Sequence, residues 1–103
     1  MKFEWDDDKY EENIRKHGIP FEYAALIFDD ENRIEDYDDE HSDSEDRYDI
    51  IGMVDKVLFV VVTYRNDEEN LVRIISAREA TKEERRRYEW QWSGKPWKKL
   101  GEK

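Results

Sequence analysis

The chain has 103 residues, which is enough for one domain with a modest hydrophobic core but not for two. Charged residues make up 45% of it and hydrophobic residues 37%, yet the apolar side chains are concentrated, most clearly at residues 57–64, so composition favours a folded domain over a disordered chain. The formal net charge is -10, but residues 1–55 hold 20 acidic and 6 basic side chains while residues 56–103 hold 8 and 12, so the second half can still present a basic surface.

The first third of the chain predicts a short strand and two helices. The strand is expected at residues 2–5, and Asp6 is a suitable N-cap for a helix from Asp7 to Lys16, which Gly18 would end. Pro20 can start the second helix, because a first helical turn leaves N–H groups unpaired and proline has none. Apolar residues then follow at helical spacing: Phe21, Ala24, Ala25 and Phe28.

Strand signals dominate the middle of the chain. Four strands are expected, at Arg33–Asp36, Arg47–Val54, Val57–Tyr64 and Leu71–Ala77. The most acidic segment, residues 29–49, contains the first of them and a loop. We expect these strands to form an antiparallel meander of three or four strands.

The last element predicted is a third helix. Thr81 and Glu84 have the spacing of a capping box, which predicts a helix from about Lys82 to Trp92. Residues 1–92 are therefore interpreted as a single domain and residues 93–103 as a tail. The fold class is α+β, with a small antiparallel sheet that consists of the meander and the N-terminal strand, flanked by two N-terminal helices and one C-terminal helix.

The sequence lacks cysteines and long apolar segments, which excludes several kinds of site and location. There is no cysteine, which excludes disulfides, thiolate metal sites and cysteine nucleophiles. No apolar segment resembling a signal peptide follows Met1, and no apolar run approaches the roughly 20 residues that span a bilayer. We therefore expect a cytoplasmic protein with no membrane contact.

Four stretches of the sequence, taken together, carry a family resemblance: "FEWDDDKYEENIRKHGIPFEYAALIFDD", "HSDSEDRYDIIG", "VVVTYR" and "RIISAREATKEERRRYE". In the same order and spacing they resemble the BrnT family of type II toxins, over residues 2–89. The resemblance implies a fold like that of the RelE ribonuclease toxins and an endoribonuclease that needs neither a metal nor another cofactor. It also implies a BrnA-type antitoxin as partner. The protein would then contact DNA only indirectly, through this antitoxin.

Cleavage of RNA without a metal requires a base for the 2′-hydroxyl proton, an acid for the leaving oxygen and cations for the phosphate. Arg78, at the end of a predicted strand, is the leading phosphate ligand, although strand-end arginines are more often solvent-exposed or salt-bridged. Arg65 is a second catalytic cation that the resemblance suggests, but in a hairpin it would lie roughly 30 Å away, at about 3.3 Å per residue. His17 is the candidate acid-base residue, or alternatively it only caps the first helix.

Four further residues are candidates for binding the RNA substrate. Lys16 is adjacent to His17, and Ser76 shares a strand face with Arg78. Arg85 is chosen from three successive arginines that point different ways around a helix, so that at most two of them can line one groove. Tyr88 more often belongs to a buried helix face, with the alternative that its hydroxyl or ring contacts RNA.

The acidic first half supports a different hypothesis. The chain could be a non-catalytic acidic binding module that mimics nucleic acid or inhibits a nucleic-acid-binding protein. In either case the acidic loop can serve as a docking surface for a basic partner, since opposite charges speed association. His41 lies in this loop among carboxylates, but one histidine with flexible acids makes a poor metal site, and we expect no bound metal.

Overall fold

The computed structural model describes residues 1–66 and 70–93. In chain order its elements are β1 (Lys2–Glu4), α1 (Asp7–His17), α2 (Phe21–Ala24), a 3-10 helix (Ala25–Asp29), β2 (Ile34–Tyr37), a 3-10 turn (Asp39–His41), β3 (Tyr48–Met53), β4 (Val57–Asn66), β5 (Leu71–Glu79) and α3 (Lys82–Ser93). Residues 94–103, nearly all of the predicted tail, lie outside the described residues. No helix within the described ranges is both long and apolar enough to cross a membrane.

The α+β class is confirmed, and the sheet has the order β1-β5-β4-β3-β2. Strands β2 to β5 form the predicted antiparallel meander. The prediction of a wholly antiparallel sheet is wrong for β1, which pairs parallel to β5 through Lys2 opposite Leu71 and Glu4 opposite Arg73. Parallel neighbours need a long connection, and here α1, α2 and strands β2 to β4 lie between β1 and β5 in the chain.

One face of the sheet carries the main core, beneath α1, α2 and the first 3-10 helix. Alternate residues of β3, β4 and β5 point to this face and meet apolar residues of the helical segment. The fully buried side chains among them are Phe21, Ala24, Ile27, Ile50, Leu58, Val60, Val62, Val72, Ile74 and Ala77. The predicted second helix is present, but it tightens to 3-10 geometry at Ala25, and the three-residue period then buries Ile27 while Phe28 is only half-buried.

The predicted helix caps are confirmed at both ends of α1. Asp6 accepts a hydrogen bond from the backbone N–H of Lys9 at 3.0 Å, and Gly18, at φ 70°, donates its N–H to the carbonyl of Ile14. This left-handed conformation is one that glycine adopts without steric cost. The helix therefore ends at a fixed place, just after the side chains of Lys16 and His17.

A buried asparagine joins α1 to the sheet. Asn13 donates from Nδ2 to the carbonyls of Ile19 and Ala77, at 3.0 and 2.8 Å, and its Oδ1 accepts from the N–H of Ala77 at 3.0 Å. β1 pairs only with residues 71–73, so this part of β5 is an open sheet edge that the amide of Asn13 satisfies. The helix carrying His17 is thereby fixed beside the strand carrying Arg78.

Among the described residues, the other face of the sheet is covered only at one end, by α3. Tyr88 packs there with Ile51, Val57 and Ala80. The capping box of α3 is confirmed, because the N–H of Glu84 donates to Thr81 Oγ1 at 3.2 Å and the N–H of Thr81 donates to Glu84 Oε1 at 2.9 Å.

Candidate active site

The uncovered part of the second sheet face forms a groove, which we call the sheet groove. Its floor lies on β4 and β5, where Phe59 is opposite Arg78 and Val61 is opposite Ser76. One part, of about 370 Å³, reaches the connection between β2 and β3, and the other, of about 270 Å³, reaches α1. The two parts are neighbouring cavities that both have Arg47, Ile75 and Ser76 in their lining.

Four of the seven residues predicted from the sequence line this groove, namely Arg78, Ser76, Lys16 and His17. They come from the end of β5 and from the last turn of α1, which the bonds of Asn13 hold together. A bulge in β5 contributes to this arrangement: Val61 pairs with Ser76 and Val62 with Ile74, which leaves Ile75 as the extra residue. Both Ile75 and Ser76 consequently line the groove.

The guanidinium of Arg78 is held on two sides. Its Nη1 and Nη2 donate to the two carboxylate oxygens of Glu84 at 2.9 and 3.0 Å, and Nη1 also donates to the carbonyl of Glu79 at 3.2 Å. The guanidinium carbon lies 4.1 Å from the ring centroid of Phe59, in cation–π geometry. Among the described residues, Nε and one N–H of Nη2 have no partner, out of the five N–H groups that arginine offers.

Glu84 serves two structural purposes at this point. Besides holding Arg78, it completes the capping box of α3 with Thr81. The hydrogen bonds from Arg78 are the main cause that lowers the pKa of Glu84, and the bonds with Thr81 act in the same direction. Glu84 therefore stays ionised at neutral pH, and α3 and Arg78 are positioned by the same carboxylate.

Arg65 lies far from Arg78 in the structure. Phe59 is the cross-strand neighbour of Arg78, and Arg65 lies six residues further along β4, which corresponds to about 20 Å at the strand rise of about 3.3 Å per residue. Its guanidinium contacts Glu45 at 3.2 Å and Glu4 at 3.6 Å. The two arginines therefore cannot bind the same phosphate.

Arg85 and Tyr88 also lie outside the residues that line the groove. Arg85 donates from Nη1 to the carbonyl of Ala80 at 3.2 Å. Tyr88 is 5% exposed, and its hydroxyl donates to the carboxylate of Asp30. Burial and this hydrogen bond raise the pKa of the tyrosine hydroxyl, which keeps it protonated as a donor to Asp30. RNA contacts by Arg85 and Tyr88 stay predictions, and the site proposed below does not use them.

The far wall of the groove contains a titratable cluster that sequence reasoning did not find. Asp38, His41 and Asp49 all line the groove beside Arg78. His41 Nδ1 lies 3.1 and 3.0 Å from the two carboxylate oxygens of Asp38. Asp49 pairs across the sheet with Val61, which directs it to the same face as Phe59. The chain offers no local signal for this cluster, because it depends on the register of β3 against β4 and on the fold of the preceding turn.

The two carboxyl groups of this cluster shift each other's pKa in opposite directions. Burial raises the pKa of Asp49 to about 6, and the hydrogen bond to Asp38 and its negative charge act in the same direction. For Asp38, burial is outweighed by the hydrogen bonds with His41 and Asp49, which lower its pKa. A carboxyl group whose pKa is about 6 beside a carboxylate can accept and release a proton slightly below neutral pH.

Residues 5–84 match the family model described as "Ribonuclease toxin, BrnT, of type II toxin-antitoxin system". The chain belongs to this family. The match includes Lys16, His17, Arg65, Ser76 and Arg78. None of the curated proteins compared with the chain matches it.

A solved structure agrees with the family assignment in fold. The crystal structure of the Brucella abortus ribonuclease toxin, BrnT, superposes with a TM-score of 0.57 and 23% sequence identity, over 80% of this chain and 99% of that chain. At this identity the likeness concerns the fold alone. As a member of a type II toxin-antitoxin family, the chain has an antitoxin for a partner, and its family is one of ribonucleases.

A larger cavity lies elsewhere and does not suit the activity of the BrnT family. It has a volume of about 600 Å³ and is mostly apolar, with Leu26, Met53 and Tyr88 in its lining. Asp29 and Asp30 also line it, and no lysine, arginine or histidine does among the described residues. A cavity with this lining repels a phosphate, whereas the two individually smaller cavities of the sheet groove present Arg78 and Lys16 to one.

Proposed function

We propose that this protein is a toxin with a RelE-like fold that cleaves RNA internally, without a metal ion, in the sheet groove, and that a BrnA-type antitoxin neutralises it by covering that groove. One observation carries the proposal: Arg78, Ser76, Lys16 and His17, predicted as site residues from the sequence, line the two neighbouring cavities of the sheet groove in a chain of a ribonuclease toxin family, and Ser76 lines both. The acidic first half of the chain would serve the antitoxin, since a basic partner is attracted to it.

Arg78 binds the scissile phosphate in this proposal. Its unpartnered Nε and Nη2 N–H groups can donate to phosphate oxygens while Glu84 keeps its bonds on the other side of the guanidinium. The ring of Phe59 beneath it restricts the orientation of the guanidinium, so little side-chain entropy is lost on binding. Lys16, whose ammonium lies 3.0 Å from Glu12 on the surface of α1, supplies a second positive charge.

The reaction that fits these groups is attack of the RNA 2′-hydroxyl on its own phosphate. The cations stabilise the added negative charge of the phosphorane, and an imidazolium at His17 supplies the proton that the departing 5′-oxygen requires. The products are a 2′,3′-cyclic phosphate and a 5′-hydroxyl. Arg65 can take part only by contacting a different phosphate, on an RNA long enough to extend along β4.

The alternative of a non-catalytic acidic module has one structural observation in its favour. Both terminal nitrogens of Arg78 donate to the carboxylate of Glu84, so this pair of donors is already bound to a carboxylate and is not free to bind a phosphate. In that alternative Arg78 only holds α3 in place, and the exposed acidic residues Asp39 and Glu40 bind the partner.

Growth of a bacterial host expressing the protein separates the two functions. The proposal expects that the wild type arrests growth, that Arg78→Ala does not, and that Arg86→Ala, a matched loss of an exposed arginine on α3, arrests growth like the wild type. If the protein is instead an acidic binding module, the reverse is expected: Arg78→Ala should still arrest growth, whereas the double variant Asp39→Asn, Glu40→Gln should not. That reverse pattern would refute the ribonuclease proposal.

Metal independence and the antitoxin have separate tests. Cleavage of RNA by the purified protein should be unchanged in the presence of excess EDTA, and a loss restored by added Mg²⁺ would contradict metal independence. A ribbon-helix-helix protein encoded next to the toxin gene should form a complex with it and block cleavage. A complex that still cleaves RNA would contradict the statement that the antitoxin covers the groove.

A further inference from the structure

His41 is placed in the sheet groove by a turn whose contacts are all short-range. Asp38 accepts from the N–H of His41 at 3.2 Å, and Ser42 donates its hydroxyl to the carbonyl of Asp38. The N–H of Arg47 donates to Ser42 Oγ at 3.0 Å, and the N–H of Asp38 donates to the carbonyl of Arg47 at 2.9 Å. The turn is therefore closed on itself at the start of β3, while Asp39, Glu40 and His41 stay exposed to solvent.

The side chains of this turn form a histidine–carboxylate pair. The imidazole of His41 is 63% exposed, whereas the carboxylate of Asp38 is only 13% exposed and lies within 3.1 Å of Nδ1 through both oxygens. A carboxylate bound at Nδ1 fixes the tautomer, because Nδ1 carries the proton and Nε2 keeps its lone pair. His41 therefore presents a proton acceptor at the groove that also contains Arg78.

We propose that His41 is the general base of the RNA cleavage reaction and that Asp38 is the residue that positions it. This inference rests on the proposed function and adds a residue to the same site. Within the described residues only His41 of the two histidines has a carboxylate partner, which stabilises the imidazolium that forms when a base accepts a proton. His17, which lines the neighbouring cavity with Lys16 and Ser76, then acts as the acid.

The proton and the bonds balance over the step. The RNA 2′-hydroxyl gives its proton to Nε2 of His41 while its oxygen forms a bond to phosphorus. The bond from phosphorus to the 5′-oxygen breaks, and that oxygen takes the proton of the His17 imidazolium. Water or a second proton transfer afterwards returns His41 to its neutral form and His17 to its protonated form.

The charged groups around His41 fit this role. Asp38 and Asp49 lie on its side of the groove, and Arg47 and Arg78 line the same part. Near neutral pH Asp38 is ionised, because its hydrogen bonds with His41 and Asp49 outweigh burial and lower its pKa, and Asp49, whose pKa burial raises to about 6, is mostly ionised as well. The two carboxyl groups therefore supply enough negative charge to balance one imidazolium.

Cleavage rates with two substrates test the assignment. One is an RNA with the wild-type cleavage site, and the other is the same RNA with sulfur in place of the bridging 5′-oxygen, a leaving group that departs without a proton. His41→Ala should lower kcat on the first substrate by about 10²- to 10⁴-fold with KM little changed, and sulfur should not restore the rate. His17→Ala should lose a similar factor on the first substrate and recover on the second.

Control variants separate a catalytic from a structural effect. Glu40→Ala changes the exposed neighbour of His41 on the same turn and should leave the rate unchanged. Asp38→Asn alone should lower kcat less than His41→Ala does, and the double variant should have the same kcat as His41→Ala. Asp39→Asn should leave kcat unchanged.

Three results would be informative against the inference. A wild type that cleaves RNA, with His41→Ala as active as Glu40→Ala, would overturn the inference and leave the proposed function standing. Recovery of His41→Ala on the sulfur substrate would make His41 the acid and would also overturn it. A wild type that leaves RNA intact would remove the proposed function itself.

Discussion

Asn13 provides the most demanding test of how the groove is held together. Asn13→Ala removes three hydrogen bonds, and at about 1 kcal/mol each this costs about 3 kcal/mol of the free energy of unfolding. Alanine is the better helix former, but this returns at most about 0.7 kcal/mol. A net loss of more than about 2 kcal/mol should remain, which for a domain of this size lowers the melting temperature by at least about 8 °C.

Thermal and urea unfolding followed by circular dichroism measure this loss. Arg15→Ala is the matched control, because it is a substitution to alanine at an exposed position of the same helix and should stay within about 0.5 kcal/mol of the wild type. If Asn13→Ala were as stable as Arg15→Ala, the amide bonds would not be what fixes α1 to the edge of β5. The placement of α1, which carries His17, beside β5 would then need another explanation.

Three further substitutions have expected outcomes. Asp49→Asn should become more stable relative to the wild type as the pH rises from about 4 to 6. The carboxyl of Asp49 has a pKa of about 6 in the folded protein and an ordinary value of 3.8, so the wild type loses folding free energy as this group ionises. Equal urea midpoints of the two proteins at every pH would contradict this. Gly52→Ala should cost about 1–3 kcal/mol, because the added Cβ would lie 2.9 Å from Cβ of Ile27; a melting temperature equal to that of the wild type would contradict this. Tyr88→Phe should lose about 1 kcal/mol of stability and keep the RNA cleavage rate, since its hydroxyl bonds Asp30; a lost rate with unchanged stability would instead make it a substrate-binding residue.

The features predicted correctly from the sequence are local ones. Asp6 and Gly18 cap α1, and Thr81 with Glu84 caps α3, because each cap is specified by residues within one turn of the helix end. The meander was predictable for the same reason, since the apolar strands follow one another with short turns between them.

Features that depend on distant pairing were not predictable. The partner of β1 is separated from it by most of the chain, and nothing near Lys2 indicates a parallel neighbour. Asn13 is buried while the neighbouring apolar residue Ile14 is 37% exposed, because the open edge of β5 needs the amide of Asn13. Local periodicity identifies a helix, but the sheet edge decides which of its sides is buried.

The same division applies to the candidate site. Arg78, Ser76, Lys16 and His17 were found by motif and spacing, and the fold brings them to one groove. The opposing wall was missed, because its composition indicated a solvated acidic loop while Asp38 closes it into a turn that presents His41.

RNA cleavage by purified Arg78→Ala, compared with Arg86→Ala and the wild type under single-turnover conditions, tests the central claim most directly. Each variant loses one arginine, so the general effect of charge on RNA binding is matched, and circular dichroism checks that α3 is retained. Loss of one oriented phosphate ligand should reduce the cleavage rate of Arg78→Ala by about 10²- to 10³-fold, with Arg86→Ala unchanged. Equal cleavage by the two variants, with a wild type that is active, would contradict the assignment of the sheet groove as the active site.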